Sequence, residues 1–177
     1  MKVLVTAASK HAATAEIAKA IGETLTFRGF EVAVLPVEEV AEVRDVDAVV
    51  IGSAVYAGHW LKPAKEFVTR NAHALSTLPV WLFSSGPVGN PPKPEGDPAD
   101  VAELVETIHP RGHHVFPGRI ERGRLTLPER AVTRALRIPD ADSRDLHRIR
   151  GWAVRIAAEL EIEAPVVKET QLAKADA

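Results

Sequence analysis

The sequence predicts an α/β protein with a five-stranded parallel sheet and helices on both faces. Five apolar stretches alternate with amphipathic ones along the 177 residues, which is the pattern of repeated strand–helix units with right-handed crossovers. The third stretch, 47–52, is apolar almost throughout, as expected for a strand covered on both faces. With 46% hydrophobic and 26% charged residues, the composition is typical of one globular domain.

The predicted elements follow in a regular order. The first strand starts at Lys2, and apolar residues recur at helical spacing through 17–25 before a stop at Gly29. The helix predicted at 97–108 is expected to be capped by Asp97, with Pro98 at its first position. Further strands are predicted at 31–36, 47–52, 79–84 and 113–117, and helices at 61–74, 97–108 and 143–160, with a weaker acidic connection at 37–46.

Two segments do not fit the alternation. Residues 118–139 are too long for a simple loop after the fifth strand, so we expect an insertion that contains a short helix at 129–136. Residues 164–177 are polar, lack an apolar face and are predicted to form a mobile tail. The chain is therefore expected to be one domain, 1–163, followed by this tail.

The loop after the first strand suits a phosphate group. In parallel sheets of this type, ligands bind beyond the carboxyl ends of the strands, where the strand order switches. The loop combines the hydroxyls of Ser9 and Thr14 with the basic side chains of Lys10 and His11, beside unpaired N–H groups at a helix start. An ordinary strand–helix turn, with Ser9 or Thr14 as the helix cap, fits the same residues.

The loops after the third and fourth strands suit a planar ring. Aromatic side chains are concentrated in 53–60, and glycine and serine in 84–91, so the three loops together predict a ring with a phosphorylated tail. A Rossmann dinucleotide site is not supported, because no glycine occurs between Met1 and Ile21. A phosphoacceptor site is excluded because carboxylates are missing after the first strand and at the end of the third.

These loops carry a family resemblance. With ASKHAATAEIA at 8–18, GSAVYAGHW at 52–60 and FSSGPVG at 83–89, residues 2–160 resemble the flavodoxin-like FMN-binding family. The nearest branch is that of menaquinone-dependent protoporphyrinogen oxidases. The resemblance implies the strand order 2-1-3-4-5, FMN as cofactor, and oxidation of a protoporphyrinogen-like substrate with a quinone acceptor. In the last helix it extends to Arg144, Asp145, Ile149, Arg150 and Trp152.

The resemblance also implies roles for single residues. Tyr56 and Trp60 are expected to cover the flavin ring, with packing beneath the loop as the alternative for Trp60. Gly58, or the peptide before it, is expected to face flavin N5. His59 is expected to hydrogen-bond the substrate or act as the catalytic proton donor, with an ordinary surface histidine as the alternative. The cofactor-binding set is Ser9, Lys10, His11, Ala12, Ala13, Thr14, Ala54, Val55, Tyr56, Ala57, Gly58, Trp60, Ser85, Gly86, Pro87, Val88 and Gly89.

Ala12 departs from the family pattern. The family usually has glycine there, in the middle of the phosphate loop. If the backbone has to be left-handed, alanine costs roughly 1 kcal/mol more than glycine, so the departure bears on cofactor affinity rather than on the fold.

The charge distribution separates the functional classes. A net charge of −2 does not suggest nucleic-acid binding, which usually needs a strongly basic face. The resemblance implies that a flavodoxin electron carrier would be strongly acidic, whereas this chain is close to neutral. From 111 to 155 every basic Lys/Arg position is arginine, which is either a solvated face or a surface for anionic substrates or membrane head groups. We therefore favour an enzyme whose small-molecule substrate or quinone partner meets Arg119, Arg122 and Arg124.

Two alternatives stay open, namely an electron carrier without its own substrate and a partner-binding module that has lost FMN. The chain has no cysteine, and the adjacent His113 and His114 point to opposite faces of a strand, so we expect no metal site. No signal segment is apparent, which predicts a cytoplasmic protein, with peripheral membrane contact through the arginines left open.

Overall fold

A five-stranded parallel sheet forms the centre of the molecule. The computed structural model describes residues 1–86, 97–120, 123, 127, 130–131 and 141–175. The sheet has the order β2-β1-β3-β5-β6, and the short β4 pairs antiparallel with the end of β3, so the predicted order 2-1-3-4-5 is confirmed. The strands are β1 (Lys2–Ala8), β2 (Glu31–Pro36), β3 (Ala48–Tyr56), β4 (His59–Trp60), β5 (Val80–Ser85) and β6 (Gly112–Phe116).

Helices cover both faces of the sheet. Val3 and Val5 of β1 join the core beneath the first and last helices, whereas Leu4 and Ala8 face the helices of the other side. This alternation explains why the inner strands are apolar throughout. The helices are α1 (Ala13–Phe27), α2 (Lys62–Arg70), α3 (Ala72–Leu75), α4 (Val101–Ile108) and α5 (Leu146–Ala175), with a 3-10 turn at Val37–Glu39.

The predicted stop of the first helix is confirmed. Gly29 has φ 92°, and its N–H donates to the carbonyl of Thr26 at 2.9 Å. The N–H of Phe30 donates to the carbonyl of Leu25 at 3.2 Å. This pair of bonds is a Schellman motif, which satisfies the last carbonyls of α1 and turns the chain into β2.

Two helices differ from the prediction. The helix expected at 61–74 is interrupted at Asn71, whose buried amide accepts the N–H of Val43 and donates to the carbonyl of Phe67. The helix expected from Asp97 begins at Val101, so Asp97 is not its cap. The carboxylate of Asp97 instead contacts His113 Nδ1 at 3.0 Å, and a long-range contact of this kind outweighs the local capping signal.

The insertion and the C-terminal segment are described only in part. The strands β7 (Arg119–Ile120) and β8 (Ala141–Asp142) pair antiparallel and close the base of the insertion. The helix predicted at 129–136 lies outside the described residues except for Arg130 and Ala131. The last helix continues beyond its predicted end at Leu160 to Ala175, because most residues there are good helix formers. The predicted mobility of 164–177 stays a prediction.

Candidate functional site

The carboxyl ends of β1, β3 and β5 lie side by side. In the sheet register Ala8 is opposite Ser53, and Ala54 is opposite Ser85. The loops that follow these three strands therefore meet at one edge of the sheet, which is the place where parallel α/β sheets bind ligands.

The first loop presents backbone N–H groups to a ligand. Ala12 occupies the cap position of α1 with φ 66° and ψ −17°, and its carbonyl accepts the N–H of Glu16 at 2.9 Å. The first N–H groups of a helix lack partners within the helix and carry a partial positive charge. Ala12 thus has the left-handed conformation that usually favours glycine.

A buried hydroxyl in the same loop has no partner. Ser9 Oγ is inaccessible to solvent and makes no hydrogen bond among the described residues; Thr6 Oγ1, inside β1, is the other such hydroxyl. An unpaired buried polar group costs about 1–3 kcal/mol, so an acceptor supplied by a ligand would remove a real penalty at Ser9. Thr14, in the first turn of α1, is also buried. The first loop therefore fits a phosphate group.

The first and second loops meet at Tyr56. Lys10 Nζ lies 5.4 Å from the centroid of the Tyr56 ring, and the His11 ring lies 6.3 Å from it in an edge-to-face arrangement. Tyr56 is 37% exposed, so an aromatic surface remains accessible beside the phosphate loop. The structure thus brings together three of the residues that the sequence assigned to one site.

The second loop is a two-residue hairpin turn between β3 and β4. Ala57 has φ 50° and Gly58 has φ 82°, and two positive φ angles are what a tight hairpin turn of type I′ requires. The carbonyl of Gly58 accepts the N–H of Ala99 at 3.0 Å. Of the two carbonyls predicted to face flavin N5, that of Gly58 thus has a backbone partner, and the choice between the two stays a prediction.

Trp60 has the packing role that the sequence left open. It is 2% exposed, and its indole Nε1 donates to Ser84 Oγ at 2.7 Å. Its ring belongs to the core beneath the hairpin, together with Phe67 and Leu82. Trp60 therefore supports the second loop from below and does not cover a ligand.

The third loop starts in close contact with the second. Ser85 is buried, and the N–H of Gly86 donates to the carbonyl of Phe116 at 3.3 Å. A Cβ atom at Gly86 would lie 2.8 Å from Val55 Cβ, so only glycine allows this approach. Pro87, Val88 and Gly89 lie outside the described residues.

Residues 4–146 match the family described as flavodoxin domain. The match spans most of the chain and includes all three loops. This chain belongs to the flavodoxin domain family. No curated protein matches it. Family membership points to FMN as the cofactor, in agreement with the phosphate-loop geometry.

Solved structures show the same fold. A flavodoxin from the domain Archaea is 17% identical, with a TM-score of 0.60 over 91% of this chain and 99% of that one. A flavodoxin from Streptococcus pneumoniae is 16% identical, with a TM-score of 0.57 over 90% and 99%. The rubredoxin oxygen:oxidoreductase of Desulfovibrio gigas is 13% identical, with a TM-score of 0.65 over 92% of this chain and 37% of that one.

His59 of this flavodoxin-family chain is held by a carboxylate that the sequence analysis missed. His59 Nδ1 lies 3.2 Å from Asp100 Oδ2, which also accepts the backbone N–H of Trp60 at 2.8 Å. Lys65 Nζ donates to Asp100 Oδ1 at 3.0 Å. Burial raises the pKa of Asp100, but the hydrogen bonds from Lys65 and Trp60 outweigh it and hold this pKa below its ordinary value. No local signal reveals the pair, because 41 positions separate the two residues.

Arg119 lies in an ion-pair cluster that the sequence did not predict. Its guanidinium is 12% exposed and binds Glu16 Oε1 at 2.8 Å. Arg144 binds the other oxygen of Glu16 at 2.6 Å and Asp142 at 2.7 Å. The hydrogen bond from Arg144 lowers the pKa of Glu16. Arg119 therefore fixes the base of the insertion to α1, and its predicted role in partner binding stays a prediction, whereas Arg122 and Arg124 lie outside the described residues.

Proposed function

We propose that this protein binds one FMN across the three loops and acts as an oxidoreductase. The observation that carries the proposal is the unpaired, buried Ser9 Oγ beside the left-handed Ala12 at the start of α1. Together with the first-turn N–H groups, these residues would hold the phosphate. Tyr56 would lie against the ring. FMN supplies the redox chemistry when bound, and the protein supplies position and electrostatics.

An exposed histidine beside the ring site favours an enzyme over a carrier. His59 and Tyr56 are opposite each other in the hairpin, so their side chains leave the same face. Because the carboxylate of Asp100 can only accept at His59 Nδ1, the neutral imidazole carries its proton there and leaves Nε2 as the acceptor. With a side chain 58% exposed, His59 can take up or deliver a proton at Nε2 next to a bound substrate.

We infer that the substrate is a protoporphyrinogen-like molecule and the acceptor a quinone, as the sequence resemblance implies. In such a reaction the substrate loses two electrons and two protons, which the quinone takes up. Arg122 and Arg124 would bind the substrate carboxylates through paired hydrogen bonds. The alternative is an electron carrier, which the flavodoxins among the structural neighbours favour.

Turnover of a protoporphyrinogen with a menaquinone analogue tests the proposal. We expect His59→Gln to lower kcat about 100-fold, since a positioned acid or base contributes at least that much, with FMN affinity unchanged. His147→Gln, an exposed histidine on α5, is the matched control and should leave turnover unaltered. If the FMN-loaded protein oxidises no porphyrinogen and reduces no quinone, yet exchanges single electrons rapidly with a reductase, it is a carrier.

A further inference from the structure

A chain of hydrogen-bonded polar groups, which runs from the buried Trp60 to the exposed Asp97, lies directly behind the second and third loops. Trp60 Nε1 contacts Ser84 Oγ at 2.7 Å, and the same oxygen contacts His113 Nε2 at 2.8 Å. His113 Nδ1 lies 3.0 Å from Asp97 Oδ1. Ser84 is fully buried and the His113 side chain nearly so. We call these four residues the His113 chain.

The direction of each hydrogen bond in the His113 chain follows from the groups themselves. An indole N–H can only donate, so Ser84 Oγ accepts from Trp60 and has its own proton free for His113 Nε2. His113 Nε2 then accepts, and the neutral ring carries its proton on Nδ1, which donates to Asp97. Every polar group of the chain is satisfied by this single arrangement.

The spacing of Ser84, His113 and Asp97 is that of a hydrolase triad, but the chain cannot work as one. Ser84 has no exposed surface, and its oxygen already accepts the Trp60 indole N–H. A nucleophile must reach the atom that it attacks, and a fully buried hydroxyl cannot. The His113 chain therefore serves another purpose.

The His113 chain joins the segments that carry the two loops. Trp60 belongs to the hairpin, and Ser84 comes directly before Ser85 and Gly86 of the third loop. Asp97 begins a segment that is itself bonded to the hairpin, through Ala99 N–H to the Gly58 carbonyl and through Asp100 to Trp60 N–H. One imidazole thus connects the hairpin, the end of β5 and the start of the α4 segment.

We propose that His113 is a positioning residue that holds the hairpin and the start of the third loop, Ser85 and Gly86, in the arrangement required for FMN before the cofactor binds. The proposal rests on the proposed function, because the loops are those assigned to FMN. Preformed loops lose less conformational freedom on binding, which is how a group without cofactor contact raises affinity. His114, one residue further along β6, faces the opposite side and stacks on Trp152 at 5.8 Å.

Two measurements on His113→Leu, His113→Gln and His114→Leu test the proposal. FMN affinity is measured by fluorescence titration, and amide hydrogen exchange is measured on the cofactor-free protein. We expect His113→Leu to weaken FMN binding at least tenfold and to accelerate exchange at Gly86 and Ala99 at least tenfold relative to the core of β1. His113→Gln, whose side-chain oxygen can accept from Ser84, should restore most of the FMN affinity and most of the protection from exchange. His114→Leu should leave FMN affinity unchanged and should not accelerate exchange at Gly86 and Ala99 relative to the core of β1.

The two readouts separate this proposal from the proposed function. The proposal is overturned if His113→Leu behaves like His114→Leu. In that case the two variants lower the unfolding free energy equally, and they do not differ in FMN affinity or in hydrogen exchange at Gly86 and Ala99. If the native protein fails to bind FMN while His113→Leu still accelerates exchange at these two amides, the proposed function fails and the loop-positioning role stands.

Discussion

At the scale of single residues, Ala12 links the sequence to the cofactor. Its φ of 66° shows that the loop has the left-handed backbone expected of the family's glycine, although the residue is alanine. Left-handed backbone costs an L-residue roughly 1–2 kcal/mol, and the strain persists only where the surrounding structure enforces it. The loop conformation is therefore set by the strand and helix on either side rather than by the residue itself.

Ala12→Gly is expected to relieve this strain. Since the backbone is left-handed without the cofactor, the gain should appear as an unfolding free energy higher by roughly 1 kcal/mol, measured by urea unfolding. Ala13→Gly is the matched control, because residue 13 begins α1 and glycine brings no gain in a helix. A lower unfolding free energy in Ala12→Gly would mean that the loop has been rebuilt around alanine.

Two histidines on β6 should make stability depend on pH. Burial lowers the pKa of His113, against the opposing effect of Asp97. Burial, together with Arg148 and Arg155, lowers the pKa of His114. Unfolded histidine titrates near 6.5, so below that pH the unfolded chain binds more protons than the folded one. The unfolding free energy should therefore fall as the pH is lowered from about 7.5 to 5.5.

Urea unfolding at a series of pH values measures this effect. His114→Phe keeps the aromatic packing against Trp152 and removes one of the two groups, so the slope of unfolding free energy against pH should become smaller. The carboxylates with lowered pKa values, among them Glu16 and Asp142, titrate below this range and do not contribute. An unfolding free energy that rises on acidification over this range would contradict the assignment.

At the scale of elements, ion pairs tie the insertion to the first helix. Arg144 reaches both Glu16 on α1 and Asp142 on β8, and its own side chain is 9% exposed. Removing one partner of such a group leaves charges with poor solvation, which is more costly than losing an exposed pair. The cluster places the base of the insertion beside the first turn of α1.

Arg144→Met should therefore lower the unfolding free energy by about 2 kcal/mol, less than for a fully buried pair because the two carboxylates are partly exposed. Arg28→Met is the matched control, since Arg28 pairs with Glu161 of α5 at a half-exposed site. This substitution should lower the unfolding free energy by less than about 1 kcal/mol. Chemical unfolding of the two variants compares these values. Equal losses would show that the cluster has no special role.

At the scale of the whole molecule, local patterns predicted the architecture and distant contacts decided the details. Alternating periodicity predicted the strands and most helices, and the resemblance predicted the strand order. Local capping signals failed at Asp97, because a contact with His113 outweighed them. Charge clustering along the sequence did not reveal that Arg119 pairs with Glu16 on α1.

The side chains that hold the loops from behind could not be predicted from the sequence, because they are far apart along the chain. Asp100 and His59 are 41 positions apart, and Ser84 and His113 are 29 apart. Ser84 and His113 meet because β5 and β6 are neighbours in the sheet, and Asp100 meets His59 because the segment before α4 lies against the hairpin. Loop composition predicted the residues that line the three loops, whereas the side chains that bond the loops to one another meet only through the tertiary packing. Among the described residues, no helix is both long and apolar enough to cross a membrane.

Titration of the protein with FMN tests whether the three loops form a cofactor site. We expect quenching of flavin fluorescence at one FMN per chain with a Kd in the micromolar range or tighter. Ser9→Ala should weaken binding about tenfold, since a hydrogen bond to a charged group is lost, whereas Ser76→Ala at the exposed end of α3 should not. No quenching by the native protein at tens of micromolar FMN would contradict the account.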